Sequence, residues 1–319
     1  MIEQLDSRGG LHHLITLEGL PRALVGQLLD SAQRYVVEPG ARYGSFDRLR
    51  GFTVANLFTE PSTRTRVSFE LAAKRLGAEV VNLEVQLSSR VKGESMLDTI
   101  YTLEALNVDV LVMRDSEANV PDLVAANVSA HVSVLSGGAG SAAHPTQGLL
   151  DALTIRQRKP QFERLRVVIV GDLRHSRVAR SAFHALGIMG TTDIRIVAPE
   201  ALMPDDSEFA GCERFVDFDA GIADADVIMM LRIQKERMAQ AQMPDADRYF
   251  AEYGLDQRRL ALARADAMVM HPQPMNRGIE ISSEVADGAQ SAIRAQVQNG
   301  IAVRMAVLDA VTAAARGER

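Results

Sequence analysis

A chain of 319 residues exceeds what one core of ordinary size fills, and 47% hydrophobic with 24% charged residues is the balance of a globular protein, so two domains are expected. A formal net charge of -6 excludes a generally basic nucleic-acid-binding surface, and the absence of Trp with only 5% aromatic residues leaves little to stack on bases. A single cysteine, Cys212, excludes an internal disulfide framework and a Cys-rich metal site.

Residues 1–10 carry no apolar signal core, and no stretch approaches the roughly 18 apolar residues of a bilayer span, so a soluble cytoplasmic protein without membrane contact is expected. Residues 52–58 read as a buried strand, and 67–76 follow with helical spacing of Val67, Phe69, Leu71 and Leu76, closed by Gly77. Strand is expected at 80–83, helix at 95–106, and strands at 108–113 and 132–135. A helix then starts near Pro145 and Thr146 and runs to about Arg158, where Lys159 and Pro160 break it.

A second series opens with strand 166–171 and a helix from about Ser176 to Leu186, followed by strands at 193–197, 227–230 and 267–270. A long helix of small and apolar residues closes the chain over 291–315. Such strand–helix alternation implies parallel sheets covered by helices. The break near 151–165 implies two doubly wound α/β domains of three-layer α/β/α type, residues 1–150 and 151–290.

In sheets of this kind ligands bind at the carboxyl ends of the strands, and the chemistry-bearing residues of this chain fall there repeatedly. After the first strand, Ser62 or Thr63 can cap a helix, while Thr65 adds a hydroxyl and Arg64 and Arg66 add charge. Two arginines in a helix's first turn oppose its dipole, a cost that is offset when an anion such as a phosphate sits at the helix start. Arg114 follows the strand at 108–113. After the strand at 132–135, glycines 137, 138 and 140 allow sharp turning and close approach, and His144 and Gln147 sit three apart at a helix start.

In the second series, Gly171-Asp172-Leu173 leads to Arg177 at a helix start, and the Gly-x-Gly-x-x-Gly fingerprint of nicotinamide-binding folds is absent. Arg232-Ile233-Gln234 follows the strand at 227–230. His271-Pro272-Gln273-Pro274 follows the strand at 267–270, where rigid prolines can hold backbone carbonyls outward. A polar loop, Ser88-Ser89-Arg90-Val91-Lys92-Gly93-Glu94, has the character of a segment that closes over a ligand or of a solvated surface loop.

Ser62-Thr63-Arg64-Thr65-Arg66, then Arg114, then His144-Pro145-Thr146-Gln147, in this order, resemble the carbamoyltransferase superfamily over nearly the whole chain. Within it, Gly171-Asp172-Leu173, Arg177 and Arg232-Ile233-Gln234-Lys235-Glu236-Arg237 look like the catalytic chains of aspartate carbamoyltransferases. Ornithine carbamoyltransferases carry a His-Cys-Leu-Pro turn where this chain has His271-Pro272-Gln273-Pro274. The resemblance implies that residues 291–319 return to the first domain. It also implies transfer of a carbamoyl group from carbamoyl phosphate to L-aspartate in pyrimidine biosynthesis, with another amine such as ornithine or N-acetylornithine as the alternative acceptor.

By the same resemblance, Ser62, Thr63, Arg64, Thr65 and Arg114 hold the phosphate, and Thr65, Arg114 and His144 donate to the carbonyl oxygen. Gln147 and backbone carbonyls at Pro272 and Gln273 recognise the carbamoyl amide. Arg177, Arg232 and Gln234 bind aspartate, whose two carboxylates match these cations. Ser88 and Lys92 arrive from a neighbouring subunit of a trimer, with Lys92 also on aspartate, and Glu94 pairs with Arg64. Neither cofactor nor metal is implied. Met275 stands where the best-known enteric pattern has arginine, and it leads into Asn276-Arg277-Gly278. That run occurs in bacterial members some of which assemble with a dihydroorotase-like chain, so the assembly is expected to be a homotrimer or a dodecamer of trimers with regulatory or dihydroorotase-like chains.

Overall fold

A computed structural model of the chain describes residues 2–38, 40–83, 95–205, 207–234 and 245–317. The chain divides into two compact units, Met1–Leu153 with Gln298–Arg319, and Thr154–Val297.

The first unit is built on a four-stranded parallel sheet of β1 (Thr53–Phe58), β2 (Glu79–Leu83), β3 (Val110–Asp115) and β4 (Ser133–Ala139), in the order β2-β1-β3-β4. Its helices are α1 (Arg22–Tyr35), α2 (Thr63–Arg75), α3 (Met96–Ala105), α4 (Val120–Ala125) and the start of α5 (Pro145–Arg158). The apolar runs of β1, β3 and β4 are buried throughout their centres, as strands covered on both faces must be. One layer of this core joins Ala55 and Leu57 of β1, Leu111 and Met113 of β3 and Val134 of β4 to Ile100 and Leu103 of α3 and to Val124 of α4. The N-terminal segment pairs alongside β4, with Leu14 N–H donating to Val134 and its carbonyl accepting from Ser136, so that edge is covered.

The second unit carries a five-stranded parallel sheet of β5 (Arg166–Val170), β6 (Asp193–Val197), β7 (Glu213–Phe215), β8 (Val227–Met230) and β9 (Met268–Met270), ordered β7-β6-β5-β8-β9. Its helices are α6 (Arg177–Met189), α7 (Phe218–Ile222), α8 (Ala246–Tyr253), α9 (Gln257–Leu260) and α10 (Ser283–Ala286). Gly190, at φ 103°, closes α6 in the left-handed conformation that glycine adopts without steric cost. Helix α5 runs on into the second unit, and α11 (Ile293–Thr312) brings the chain back to the first.

In each sheet the winding reverses once. From β1 the chain goes to β2 on one side and then to β3 on the other; from β5 it goes to β6 and β7, then to β8 on the other side. The carboxyl ends of β1 and β3, and of β5 and β8, therefore flank the two crevices where open α/β sheets bind ligands.

Some expected boundaries shift. Strand β3 continues to Asp115, so Arg114 lies within the strand and pairs in register with Phe58 rather than following it. Strand β4 continues through the glycines to Ala139, because Met113 aligns with Ser136 but Asp115 with Ala139, one residue extra on β4. The expected glycine loop is therefore a bulged strand end. The last helix ends at Thr312, short of residue 315.

Candidate active site

In the first unit, the chain leaves β1 at Phe58 and enters α2 at Thr63. Ser62 takes the N-cap position, yet its side chain makes no capping bond, and no acidic residue stands in the first turn. The N–H groups of that turn and the positive end of the helix thus meet no neutralising group of their own helix. Thr63 and Arg64 are exposed there, Ser62 and Arg66 are half-buried, and Thr65 is buried.

A Cβ built on Gly137 would lie 3.3 Å from the Met113 carbonyl oxygen, 3.3 Å from the Phe58 ring and 3.5 Å from the Thr65 methyl. Only glycine lets the ends of β1, β3 and β4 and the start of α2 converge this tightly. Arg114 reaches into the same place. Its Nε lies 3.3 Å from a carboxylate oxygen of Glu60, and its Nη1 donates to the Gly137 carbonyl at 3.3 Å. Below it, Asp115 is buried and accepts from the Thr59 hydroxyl at 2.8 Å and the Glu117 N–H at 2.9 Å, which ties the β1 and β3 ends together.

Pro145 begins α5, where its missing N–H costs nothing, and His144 precedes it. The His144 carbonyl accepts from the N–H groups of Gln147 at 2.9 Å and Gly148 at 3.2 Å. His144 and Gln147 are both buried, and the Gln147 side-chain amide donates to Asp151 at 3.0 Å. The first unit therefore brings Ser62, Thr63, Arg64, Thr65, Arg114, His144 and Gln147 to the carboxyl end of its own sheet.

In the second unit, Asp172 is fully buried just after β5 and organises the neighbouring loop ends. It accepts from the His175 N–H at 3.3 Å, meets His175 Nδ1 at 2.8 Å and accepts from the Gln234 N–H at 3.3 Å. The Gln234 side-chain amide in turn donates to the His175 carbonyl at 2.9 Å. Gln234 is thus held at both its backbone and its side chain. Ser176 caps α6 by accepting from the Ala179 N–H at 3.0 Å, and Arg177 is the buried first residue of a helix with no acid in its first turn. Arg232, half-buried, sits between β8 and Gln234.

After β9, His271 is fully buried and is held by its ring. Its Nδ1 accepts from the Gln273 N–H at 2.9 Å, so its Nε2 carries the proton and faces Glu280 at 3.3 Å. Glu280, also buried, accepts from the Asn276 N–H at 2.6 Å. Gln273 has φ 58° and a cis peptide bond to Pro274; Pro272 and Gln273 are half-buried. Burial, and then the negative charge of Glu280 and Asp172, push the Tyr249 hydroxyl well up from its ordinary range. Ser88, Lys92 and Glu94 lie outside the described residues, as do Lys235, Glu236 and Arg237. Among the described residues no cluster of His, Cys, Asp and Glu could hold a metal ion, and no helix is long and apolar enough to cross a membrane.

Residues 12–157 match the family "Aspartate/ornithine carbamoyltransferase, carbamoyl-P binding domain", and residues 163–311 match its "Asp/Orn binding domain". The chain belongs to the aspartate/ornithine carbamoyltransferase family. It is therefore a transferase of the carbamoyltransferase class. Among solved structures, it resembles aspartate transcarbamoylase from Trypanosoma cruzi in complex with carbamoyl phosphate, at 31% identity and TM-score 0.82, covering 94% of this chain and 96% of that one. The same enzyme in complex with N-(phosphonacetyl)-L-aspartic acid matches at 31% identity and TM-score 0.80, covering 98% of this chain and 99% of that one. Ornithine carbamoyltransferase from Pyrococcus furiosus matches at 28% identity and TM-score 0.82, covering 94% of this chain and 96% of that one.

The supporting carboxylates escaped the sequence reading of this family member. Glu60 beside Arg114, Asp151 beside Gln147 and Glu280 beside His271 and Asn276 each hold a site residue or its loop. Only Asp151 left a usable signal, a carboxylate four residues after Gln147 within a helix otherwise lined by Leu149, Leu150 and Leu153.

Proposed function

We propose that this carbamoyltransferase uses L-aspartate as acceptor and produces N-carbamoyl-L-aspartate and phosphate, the reaction that supplies pyrimidine synthesis. The observation that carries the reading is that Arg177 starts α6 and Arg232 follows β8, so that two arginines come after paired strands β5 and β8, with Gln234 held at both backbone and side chain. Two guanidinium groups suit an acceptor with two carboxylates, whereas the second amine of ornithine calls for an acidic partner. The Trypanosoma cruzi enzyme whose structures contain aspartate and its phosphonacetyl derivative supports the same choice.

In this reading the first turn of α2, with Ser62, Thr63, Arg64 and Thr65, and Arg114 hold the phosphate of carbamoyl phosphate. The α-amine of aspartate attacks the carbonyl carbon, a C–N bond forms, and negative charge grows on the carbonyl oxygen. Thr65, Arg114 and His144 donate to that oxygen in preset positions. The C–O bond to phosphate then breaks, and the amine's proton passes to the leaving phosphate. No covalent nucleophile is needed, because holding two anions in reacting geometry does most of the work. Ser88 and Lys92 complete the site from a neighbouring chain of a trimer.

The test is direct. Purified protein is given carbamoyl phosphate with L-aspartate, L-ornithine or N-acetyl-L-ornithine in parallel, and the carbamoylated products are separated. N-carbamoyl-L-aspartate is expected to dominate; faster formation of citrulline or N-acetylcitrulline overturns the acceptor assignment.

A further inference from the structure

Gln147 ends in a planar amide whose two edges are nearly the same shape and opposite in hydrogen-bonding sense: Nε2 donates, Oε1 accepts. A ligand facing it meets one edge or the other, and which edge decides what the site can recognise. Nε2 lies 3.0 Å from Asp151 Oδ1 in a buried contact, with Asp151 only 1% exposed and Gln147 8% exposed. The residues stand four apart on α5, one turn of the same helix. The amide atom that faces Asp151 is Nε2, so the edge turned to Asp151 is the donating one. Oε1 is then left on the opposite edge. Among the described residues it has no hydrogen-bond partner, and it is not sealed from solvent.

We propose that Asp151 is a positioning residue that sets the direction of the Gln147 amide, so that the donor half-site selects an acyl phosphate bearing an N–H over one bearing a methyl group. The inference rests on the proposed function, together with the role on the carbamoyl amide that the family resemblance implies for Gln147. It adds what chooses that acyl group. Carbamoyl and acetyl phosphate share the phosphate, the carbonyl and nearly the same shape; they differ in NH2 against CH3. Against Oε1 the carbamoyl NH2 forms a hydrogen bond, whereas the acetyl methyl strips the oxygen of water and returns nothing. A site built to hydrogen-bond one group rejects the analogue that lacks it more strongly than shape alone achieves. Without Asp151 the amide is free to turn or swing, and this selectivity falls.

The experiment compares wild type with Asp151→Asn, Gln147→Met and the double variant, reading the KM for carbamoyl phosphate and the inhibition constant of acetyl phosphate as its competitor. The ratio of the second to the first is expected to fall about tenfold in each single variant, and no further in the double variant. A loss of affinity for both compounds alike in Asp151→Asn, or additive effects in the double variant, overturns the proposal, since a merely structural carboxylate would act that way.

A second measurement needs no variant at Asp151. With 15N-labelled glutamine, the Gln147 side-chain signal, identified by its absence in Gln147→Met, is expected to exchange slowly with solvent in free wild-type protein. Fast exchange overturns the proposal even if Asp151→Asn does not fold. A wild-type protein that makes no carbamoylated product from any acceptor would instead sink the proposed function, and the exchange measurement would still decide the Asp151–Gln147 pair.

Discussion

Gly171 stands so close to Leu231 that a Cβ built on it would lie 3.0 Å from the Leu231 carbonyl oxygen and 3.2 Å from the Leu231 Cβ. Its φ of 125° is in a region that residues with a side chain rarely enter. The two residues follow β5 and β8, which pair in register up to Val170 and Met230, so this contact closes the second crevice at its base. Gly171→Ala would force the strand ends apart and displace both Asp172 and the Arg232–Gln234 segment. Urea unfolding is expected to show a loss of about 1–3 kcal/mol, and the KM for the acceptor should rise more than the KM for carbamoyl phosphate. An unchanged acceptor KM would show that this crevice tolerates widening.

Asp172 should be more sensitive still, because one buried carboxylate meets the His175 N–H, the His175 ring and the Gln234 N–H. Asp172→Asn keeps the shape but leaves one acceptor oxygen in place of two, and its new amide donors point at donors. The expected result is a rise of at least tenfold in the acceptor KM with the KM for carbamoyl phosphate unchanged. Initial-rate measurements with each substrate varied in turn would separate the two.

How much of this could be read beforehand follows from what each residue contacts. Most strands were legible because a strand buried on both faces must be a continuous apolar run, as Val167 to Val170 are. At the sheet edge β7, Glu213–Phe215, is exposed or half-buried and carries no such run. The start of α2 was legible as a candidate anion site because Arg64 and Arg66 contradict the dipole of their own helix. The bulge at Gly137 and Gly138 was not, since the same glycines serve equally for a loop and the difference lies in the register with Met113 and Asp115. The short helices α7 to α10 carry too few turns for a periodic pattern to emerge. Glu60 and Glu280 were hidden for another reason: a carboxylate that steadies a site residue from a neighbouring loop has no fixed sequence spacing from it.

If Lys92 completes the site of a neighbouring chain, two inactive variants should repair each other. Arg64→Ala and Lys92→Ala are then each expected to lower turnover by at least a hundredfold, since in the proposed site each would remove a charge that meets a substrate anion. Trimers reassembled from an equal mixture would contain sites with Arg64 from one chain and Lys92 from the next. Statistical mixing puts both intact residues in about a quarter of the sites, so activity should return to about that fraction of wild type. A mixture no more active than its parents would place Lys92 in its own chain's site or outside the site altogether.

His13 predicts an acid limit to the fold. It is buried, its Nδ1 accepts from the Val134 N–H at 3.0 Å, and burial followed by the neighbouring His12 pushes its pKa down to about 4 from an ordinary 6.5. The folded chain therefore resists a proton that the unfolded chain takes up readily. The stability this neutral histidine contributes is full above pH 6.5 and is lost as pH falls from 6.5 to about 4, by up to about 3 kcal/mol. Protonation also removes the acceptor that fastens the N-terminal segment to β4. Denaturant midpoints measured across that window should fall steeply in wild type and less steeply in His13→Gln, which cannot take up the proton.

Arg304 presents the opposite problem, a charge retained where it costs. It is buried in α11, burial pulls its pKa down to about 10, and no carboxylate pairs with it among the described residues. Its visible contacts are an Nη1 bond to the Gly300 carbonyl at 2.8 Å and the face of Phe69, 5.1 Å from the guanidinium carbon to the ring centre. Phe69 lies on α2 one turn after Thr65, so the cation sits against the helix whose start is the proposed phosphate site. A buried charge is screened far less than an exposed one, and a positive charge there favours an anion at the helix start. Arg304→Met keeps the packing and removes the charge. It is expected to leave the unfolding midpoint unchanged or higher, because an apolar group of similar volume carries no desolvation cost. It should also weaken protection of the fold by inorganic phosphate. A lower midpoint with phosphate protection unchanged would mean that the guanidinium serves only its bond to Gly300 and its contact with Phe69.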